Sequence, residues 1–356
     1  MQYTLYSEND AFLRRRFLAL PAELYPPERR TQDPETERRI LAGTHPLSPD
    51  FTVYPFLALD KTGRPAARCL LTVYPGDGTG YVGFFESADD PDAARTVLDA
   101  AEAQARRLKK QRLVGPYDAS FWIGYRFRTA GFRSTFTGEP NNRACYPRLW
   151  ERCGFAAAEH YFSNHMRVPT EADRSGKAAK RLERFRALDY DFGTMTAKTF
   201  DRDLGEIWAL LTKLYSSFPG YRPITEAQFR ALFAPMRHVL DFDMVLLVRK
   251  DAALAAFVIC IPNYGTLTAG RITPRVLREI RAIRRSPTEY VIPYMGVAPE
   301  HSGLGNALAE LLRQELMRRN ARSISALIRD GKVTGGFYRV LKTHTSEYVL
   351  MAKPLS

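Results

Sequence analysis

The chain has 356 residues, of which 45% are hydrophobic, 26% charged and 12% aromatic. This composition excludes a mostly disordered chain, and at about 100–200 residues per domain the length predicts two domains. The formal net charge of +13 favours polyanionic partners such as nucleic acid or a phosphate-bearing cofactor, although an arginine-rich solvated surface explains it equally well.

No segment of the sequence resembles a targeting or membrane-spanning sequence. The start, MQYTLYSENDAFLRRRF, lacks a basic region followed by an apolar one, and no apolar run approaches the roughly 18–20 residues that span a bilayer. The four cysteines and six histidines show neither metal-ligand spacing nor a disulfide pattern. We therefore expect a cytoplasmic, reduced protein without a metal site or a membrane partner.

The first half of the chain predicts a mixed succession of strands and helices. Alternating apolar residues predict its strands, and apolar residues at helical spacing predict its helices, the clearest of which starts at Pro91 after Asp89 and Asp90. The predicted strands are 2–7, 51–60, 67–74, 79–87, 112–115 and 155–166, and the predicted helices are 10–25, 91–111 and 146–152. Residues 117–142 form an aromatic, glycine-rich and arginine-rich stretch, and irregular segments of this length are usually functional or disordered.

The second half repeats this order of elements. Residues 168–188 are polar and basic, which predicts a linker between a domain at 1–167 and a domain at 189–356. The predicted strands are 190–197, 244–250, 254–261, 290–297, 323–329 and 348–353, and the predicted helices are 200–217, 225–240, 274–285, 303–320 and 335–341. Two halves with one element order predict a duplicated α/β (α+β) domain.

The segment with the clearest chemical implication is YVIPYMGVAPEHSGLGNALAELL, which starts at Tyr290. A strand runs into Pro299, a short loop contains Gly303 and Gly305, and a helix starts at once. Glycines let the backbone approach a ligand, and a helix N-terminus offers unpaired N–H groups and partial positive charge. The combination predicts a cradle for a diphosphate. A Rossmann site is disfavoured because a full GxGxxG is absent, and a P-loop because no GK[ST] follows.

This segment resembles motif A of the GNAT superfamily of acyl-CoA N-acyltransferases. In that family a strand ending V-x-P is followed by Q/R-x-x-G-x-G/A and a helix. Val297 and Pro299 match the strand end, and Gly303 and Gly305 match the two glycines, whereas Glu300 stands where the family has Gln or Arg. The resemblance implies two GNAT-like domains, each a mixed, mostly antiparallel sheet flanked by helices.

The two copies differ at this motif. At the corresponding strand–helix junction the first half has Asp89, Asp90 and Asp92 instead of a glycine loop, and these carboxylates should repel a phosphate. Residues 336–339 resemble the family's A-x-x-F-Y segment, and residues 146–155 resemble its FYEKLGF segment. We therefore predict a degenerate N-terminal copy and a cofactor-competent C-terminal copy.

The resemblance implies acetyl-CoA or another acyl-CoA as cofactor and the amine of a small molecule or peptide as acceptor. It places the pantetheine along Tyr294, Met295, Gly296 and Val297, and makes the amide of Gly296 or Val297 the donor that polarises the thioester carbonyl. The diphosphate-binding residues that it implies are Ser302, Gly303, Leu304, Gly305, Asn306 and Ala307. Its catalytic residues here are Tyr338 as general acid and Glu289, relayed through Tyr294, as general base.

Two other interpretations stay open. Fem-type aminoacyl-tRNA-dependent peptidyl transferases are also tandem GNAT-like proteins, and the charge of +13 suits tRNA, but they typically lack the glycine loop. In the second of these interpretations, both copies are non-catalytic binding modules. Tyr338 would then be a core aromatic, Glu289 a solvated carboxylate and Gly303 part of a tight turn. Under the first interpretation we expect residues 117–142 to reach over the acceptor site. The sequence does not indicate the oligomeric state.

Overall fold

The computed structural model describes residues 3–269, 273–331 and 339–355, which form two compact units. Unit 1 runs to Tyr161 and resumes at Glu347, and unit 2 contains most of the chain between Phe162 and Ser346. The strands are mostly antiparallel and are flanked by helices, so the predicted mixed α/β class is confirmed. None of the helices in the described ranges is both long and apolar enough to cross a bilayer.

The elements of unit 1 follow the predicted succession closely. Its strands are β1 (Thr4–Tyr6), β2 (Thr52–Leu59), β3 (Pro65–Val73), β4 (Thr79–Ser87), β5 (Arg112–Gly115), β6 (Phe127–Ala130) and most of β7 (Ala156–Met166). Its helices are α1 (Ala11–Leu24), α2 (Pro34–Leu41), α3 (Pro91–Arg107) and α4 (Tyr146–Glu151). Two elements, α2 and β6, were not predicted, because elements this short carry little periodic signal.

The elements of unit 2 also follow the predicted order. Its helices are α5 (Gly176–Ala187), α6 (Phe200–Tyr215), α7 (Glu226–Phe233), α8 (Pro274–Arg285) and α9 (Leu304–Arg318). Its strands are β8 (Asp191–Thr194), β9 (Val245–Lys250), β10 (Ala253–Pro262), β11 (Glu289–Val297), β12 (Arg322–Arg329) and the start of β13 (Lys342–Pro354). Helix α7 ends earlier than predicted because Pro235 lacks the N–H that an α-helix needs. Most of the helix predicted at 335–341 lies outside the described residues.

Each unit contains the same arrangement of strands. In unit 1, β2, β3 and β4 pair antiparallel, and β4 then pairs parallel with β5. In unit 2, β9, β10 and β11 pair antiparallel, and β11 then pairs parallel with β12. Parallel neighbours need a crossover connection, which is α3 in unit 1 and α9 in unit 2. The repeated element order inferred from the sequence is therefore also a repeated topology.

Two predicted boundaries are corrected. Residues 168–188 are not a free linker, because Ala178, Leu182 and Phe185 form a buried stripe on α5 that packs into unit 2. Charged residues on the other faces of α5 concealed this stripe in the sequence. The end of the chain does not belong to the second unit either. Residues from Glu347 pair with β5 and β6, with Met351 opposite Gly115, and so complete unit 1.

Candidate active site

Strand β11 has a strand partner on both sides only over its first half. It pairs with β10 from Tyr290 to Val297, but its parallel pairing with β12 covers only residues 289–292 of the described chain. A β-bulge between Val291 and Tyr294 shifts the register against β10 and contains Pro293, which has no N–H to donate. Beyond this bulge and up to Val297, no strand among the described residues pairs with the edge of β11 that faces away from β10, which is the open edge of this strand.

The hydrogen bonds to β10 determine which amides of β11 face this open edge. The amide of Ala298 donates to the carbonyl of Ala255 at 2.9 Å. Successive residues of a strand alternate in direction, so the N–H of Gly296 points towards β10 and the N–H groups of Met295 and Val297 point away. Of the two amides implied as donors to a thioester carbonyl, Val297 is placed at the open edge and Gly296 is not.

Gly303 begins α9 in a conformation that favours glycine. Its φ of +91° lies in the left-handed region. A Cβ at this position would lie 2.5 Å from Nη1 of Arg181, so the turn packs closely against α5. No described side chain caps α9, and the unpaired N–H groups at its start therefore remain available to an anion.

The amides of the glycine turn are not equivalent. The N–H of Leu304 donates to the carbonyl of His301 at 3.1 Å, and the N–H of Asn306 donates to the carbonyl of Gly303 at 3.2 Å. The N–H groups of Gly303 and Gly305 have no hydrogen-bond partner within the ranges that the structure describes. Within this turn, the N–H groups of Gly303 and Gly305 are therefore among the donors that an anion could use.

Glu289, the predicted general base, lies at the opposite end of β11 from Val297. At about 3.3 Å per residue the two ends are roughly 26 Å apart. The carboxylate of Glu289 accepts from Nδ2 of Asn263 at 2.6 Å and lies 3.5 Å from Nε of Arg322. The prediction is corrected: Glu289 anchors the start of β11 and is too far from the open edge to receive a proton there.

Tyr294 is close to the open edge, but it cannot relay protons to Glu289. The two residues are five positions apart on one strand, or roughly 16 Å. The ring of Tyr294 instead packs near Tyr215 and Phe233, with centroid distances of 6.5 and 6.3 Å. Tyr338, the predicted general acid, lies outside the described residues.

An apolar cavity adjoins Tyr294 on the side of α6 and α7. Helices α6 and α7 and strands β9, β10 and β11 contribute to its walls, and apart from the hydroxyl of Tyr294 all lining side chains are apolar. They include Leu204, Ile207, Phe229 and Met236. The enclosed space is about 30 Å³. This cavity was not predicted, because its walls come from segments that are distant in the sequence.

Basic residues beside the glycine turn were also missed by the sequence analysis. Nη1 of Arg181 on α5 donates to the carbonyl oxygen of Gly303 at 3.4 Å. Lys177, Lys180 and Arg184 line a groove together with Arg181. The apolar periodicity within residues 168–188 is the signal that would have revealed this helix. The resemblance implies acyl-CoA, whose diphosphate is an anion. Unpaired amides at a helix N-terminus and nearby cationic side chains are groups that bind such an anion.

The equivalent helix N-terminus in unit 1 is closed by its own side chain. The carboxylate of Asp90 accepts from the amides of Asp92 at 2.8 Å and Ala93 at 3.2 Å, and from the hydroxyl of Tyr3 at 2.7 Å. These are the amides at the start of α3 that a diphosphate would need. The start of α3 is therefore occupied by its own side chain, which is a physical reason to expect no diphosphate there.

The strand edge of unit 1 is filled as well. The amide of Phe84 on β4 donates to Oδ1 of Asp118 at 2.6 Å. A Cβ on Gly83 would lie 1.9 Å from the carbonyl oxygen of Tyr117, so the backbone there covers β4. Burial raises the pKa of Asp118 to about 7. The segment 117–142, expected to reach over an acceptor site, therefore begins by packing into unit 1, and the residues of unit 1 do not fit acyl-CoA.

Glu86, on β4, is a buried carboxyl group with neutral hydrogen-bond donors. It accepts from the hydroxyl of Tyr146 at 2.7 Å and from Nε2 of Gln32 at 2.6 Å. The nearby guanidinium of Arg68 binds Glu37 instead, at 2.6 and 3.0 Å. Burial consequently raises the pKa of Glu86 to about 7.

We expect the stability of unit 1 to fall as the pH rises from about 4.5 to about 7. In this window folded Glu86 holds a proton that the unfolded chain releases, and the free energy of unfolding falls with pH wherever the folded state binds more protons. The contribution of Glu86 to this loss should not exceed about 3 kcal/mol. Thermal denaturation at about 1 pH unit intervals from pH 5 to pH 8 measures the free energy of unfolding. Glu86→Gln should make its decline with pH less steep, although the raised pKa of Asp118 leaves part of it in place, whereas Glu279→Gln on exposed α8 should not change the slope. A Glu86→Gln curve as steep as that of wild type would contradict the assignment.

Two curated proteins are similar to this chain in sequence. No family model matches the sequence. The chain is 26% identical to the bacterial ceramide synthase of Caulobacter vibrioides over 279 residues, which covers 73% of this chain and 71% of that protein. It is 22% identical to protein YghO of Escherichia coli over 335 residues, which covers 88% of this chain and 83% of YghO.

Solved structures show the same fold over nearly the whole chain. A tandem GNAT protein from the clavulanic acid biosynthesis pathway superposes with a TM-score of 0.53 and 13% identity, covering 99% of this chain and 98% of that one. A GCN5-related N-acetyltransferase from Anabaena variabilis superposes with a TM-score of 0.51 and 8% identity, covering 99% and 72%. The divergence of β11 from β12 and the glycine turn at Gly303 lie where the sequence resemblance places motif A. The chain therefore has the fold of the GNAT N-acetyltransferases, present twice in tandem.

Proposed function

We propose that the protein transfers an acyl group from acyl-CoA to the amino group of a long-chain amino alcohol, forming an amide. The observation that carries this proposal is the continuous site in unit 2, where the open edge at Met295 and Val297 leads to the uncapped turn at Gly303. The similarity to a bacterial ceramide synthase supports the substrate class, because a ceramide is the amide of a fatty acid and a long-chain amino alcohol.

The residues of unit 2 can bind the donor and stabilise developing charge. Acyl-CoA would supply an acyl group activated as a thioester. The N–H groups of Gly303 and Gly305, with the positive end of α9, bind a diphosphate. The N–H of Val297 donates to the acyl oxygen as that atom gains negative charge, which lowers the barrier to attack by a neutral amine. The C–N bond forms, the C–S bond breaks, and the products are an amide and the free thiol of CoA.

The apolar cavity favours a substrate with an alkyl chain. It adjoins Tyr294, which directly precedes Met295, the first of the two open-edge residues, and the side chains that line it are apolar except for the hydroxyl of Tyr294. The enclosed 30 Å³ is smaller than an alkyl chain requires. A chain would therefore enter by displacing flexible side chains such as Met195 and Met236, because methionine adapts its rotamer at low cost.

The proposal is tested by a matrix of donors and acceptors. Purified protein is incubated with acetyl-CoA, palmitoyl-CoA or an aminoacyl-tRNA as donor and with sphinganine, ethanolamine or a lysine-containing peptide as acceptor, while thiol release and product mass are measured. We expect an amide from palmitoyl-CoA and sphinganine at the highest rate. An absence of amide with every pair would contradict the proposal. Product formed only from aminoacyl-tRNA would support the peptidyl transferase instead.

A further inference from the structure

We infer that the basic face of α5, formed by Lys177, Lys180, Arg181 and Arg184, binds the 3′-phosphate of CoA. The inference rests on the proposed function and assigns a recognition element to the same site. The four residues are spaced three, four and seven positions from Lys177, so they lie on one face of the helix. Together with Gly176 they line a groove.

The charges on this face are uncompensated. Within the residues that the structure describes, none of the four side chains has an ion-pair partner, whereas Arg249 and Arg313 in the same unit each bind a carboxylate. Like charges three or four residues apart repel one another on a helix. The first turn of α5 also contains no acidic residue, although the helix dipole favours anions there and disfavours Lys177. A stripe that destabilises its own helix in this way is suited to an anionic ligand.

The position of the stripe indicates which anion it meets. Arg181 contacts the carbonyl of Gly303, so the basic face of α5 lies directly beside the glycine turn. The main-chain amides of Gly303 and Gly305 account for the diphosphate. CoA carries one further phosphate, a monoester on the ribose, and a phosphate outside the cradle needs cationic side chains such as lysine and arginine. Lys177, Lys180 and Arg184 are exposed and free to provide them.

The test compares CoA with dephospho-CoA, which lacks only the 3′-phosphate. Isothermal titration is carried out on wild type and on the triple variant Lys177→Gln, Lys180→Gln, Arg184→Gln, which leaves Arg181 in place at the turn. A second triple variant, Arg275→Gln, Arg278→Gln, Arg281→Gln, removes the same charge from α8. Circular dichroism checks that both variants are folded. Binding, and not turnover, is the quantity measured.

We expect wild type and the α8 variant to bind CoA about tenfold more tightly than dephospho-CoA. The α5 variant should bind both compounds alike, with the affinity of wild type for dephospho-CoA. An α5 variant that keeps the preference, or a wild type without one, would overturn this inference and leave the proposed function intact. A wild type that binds neither compound would overturn both.

Discussion

Gly303→Asp is expected to reduce the affinity for CoA by about 100-fold or more. In unit 1 the carboxylate of Asp90 occupies the amides at the start of α3. An aspartate at position 303 would likewise place a carboxylate beside the unpaired N–H groups at the start of α9, which include that of Gly305. Its negative charge would also repel the diphosphate.

The effect on folding should be small enough for binding to be measured. Aspartate tolerates the left-handed region better than most residues, and the nearest obstacle to a Cβ is the flexible end of Arg181. Gly63→Asp is the matched control, since Gly63 has a φ of +77° and a Cβ there would meet open space. Isothermal titration with CoA and thermal denaturation separate binding from stability. If Gly303→Asp bound CoA as wild type does, the diphosphate could not lie at this turn.

Val297→Pro is expected to lower kcat by about 10²–10³-fold, the usual effect of removing one donor to a developing oxyanion. Proline deletes the N–H and keeps the chain extended. Because the N–H of Val297 points away from β10, the substitution leaves the ladder between these two strands intact. The affinity for CoA, which depends on the glycine turn, should change much less than kcat.

The variant Val297→Ala distinguishes the effect of losing the N–H from the effect of losing the side chain. It removes the partly buried valine side chain, which packs against the core of unit 2, but retains the N–H. Single-turnover rates with saturating donor report the chemical step, and titration reports donor affinity. Equal rates for the proline and alanine variants would show that this amide does not contribute to catalysis.

Local patterns in the sequence were sufficient to predict most of the helices and strands. The period of apolar residues distinguishes strand from helix, and turn residues mark where elements end, so β4, β5, α8 and β11 could be predicted almost to the residue. The glycine turn could also be predicted, because the strand, the glycines and the helix are contiguous between Tyr290 and Asn320. The same reasoning identified the missing glycines and the acidic residues at the start of α3.

The remaining features depend on contacts between residues that are distant in the chain. Glu289 and Val297 belong to one strand, and only its extended geometry shows that they are too far apart to act together. Asp118 fills the edge of β4, and α5 brings Arg181 to Gly303, through packing that no local period encodes. Local sequence therefore determined most of the elements and the glycine turn before α9. The tertiary structure alone decided which strand edge is open, which is filled and which charges surround the cradle, because pairing and packing join segments separated by tens to hundreds of residues.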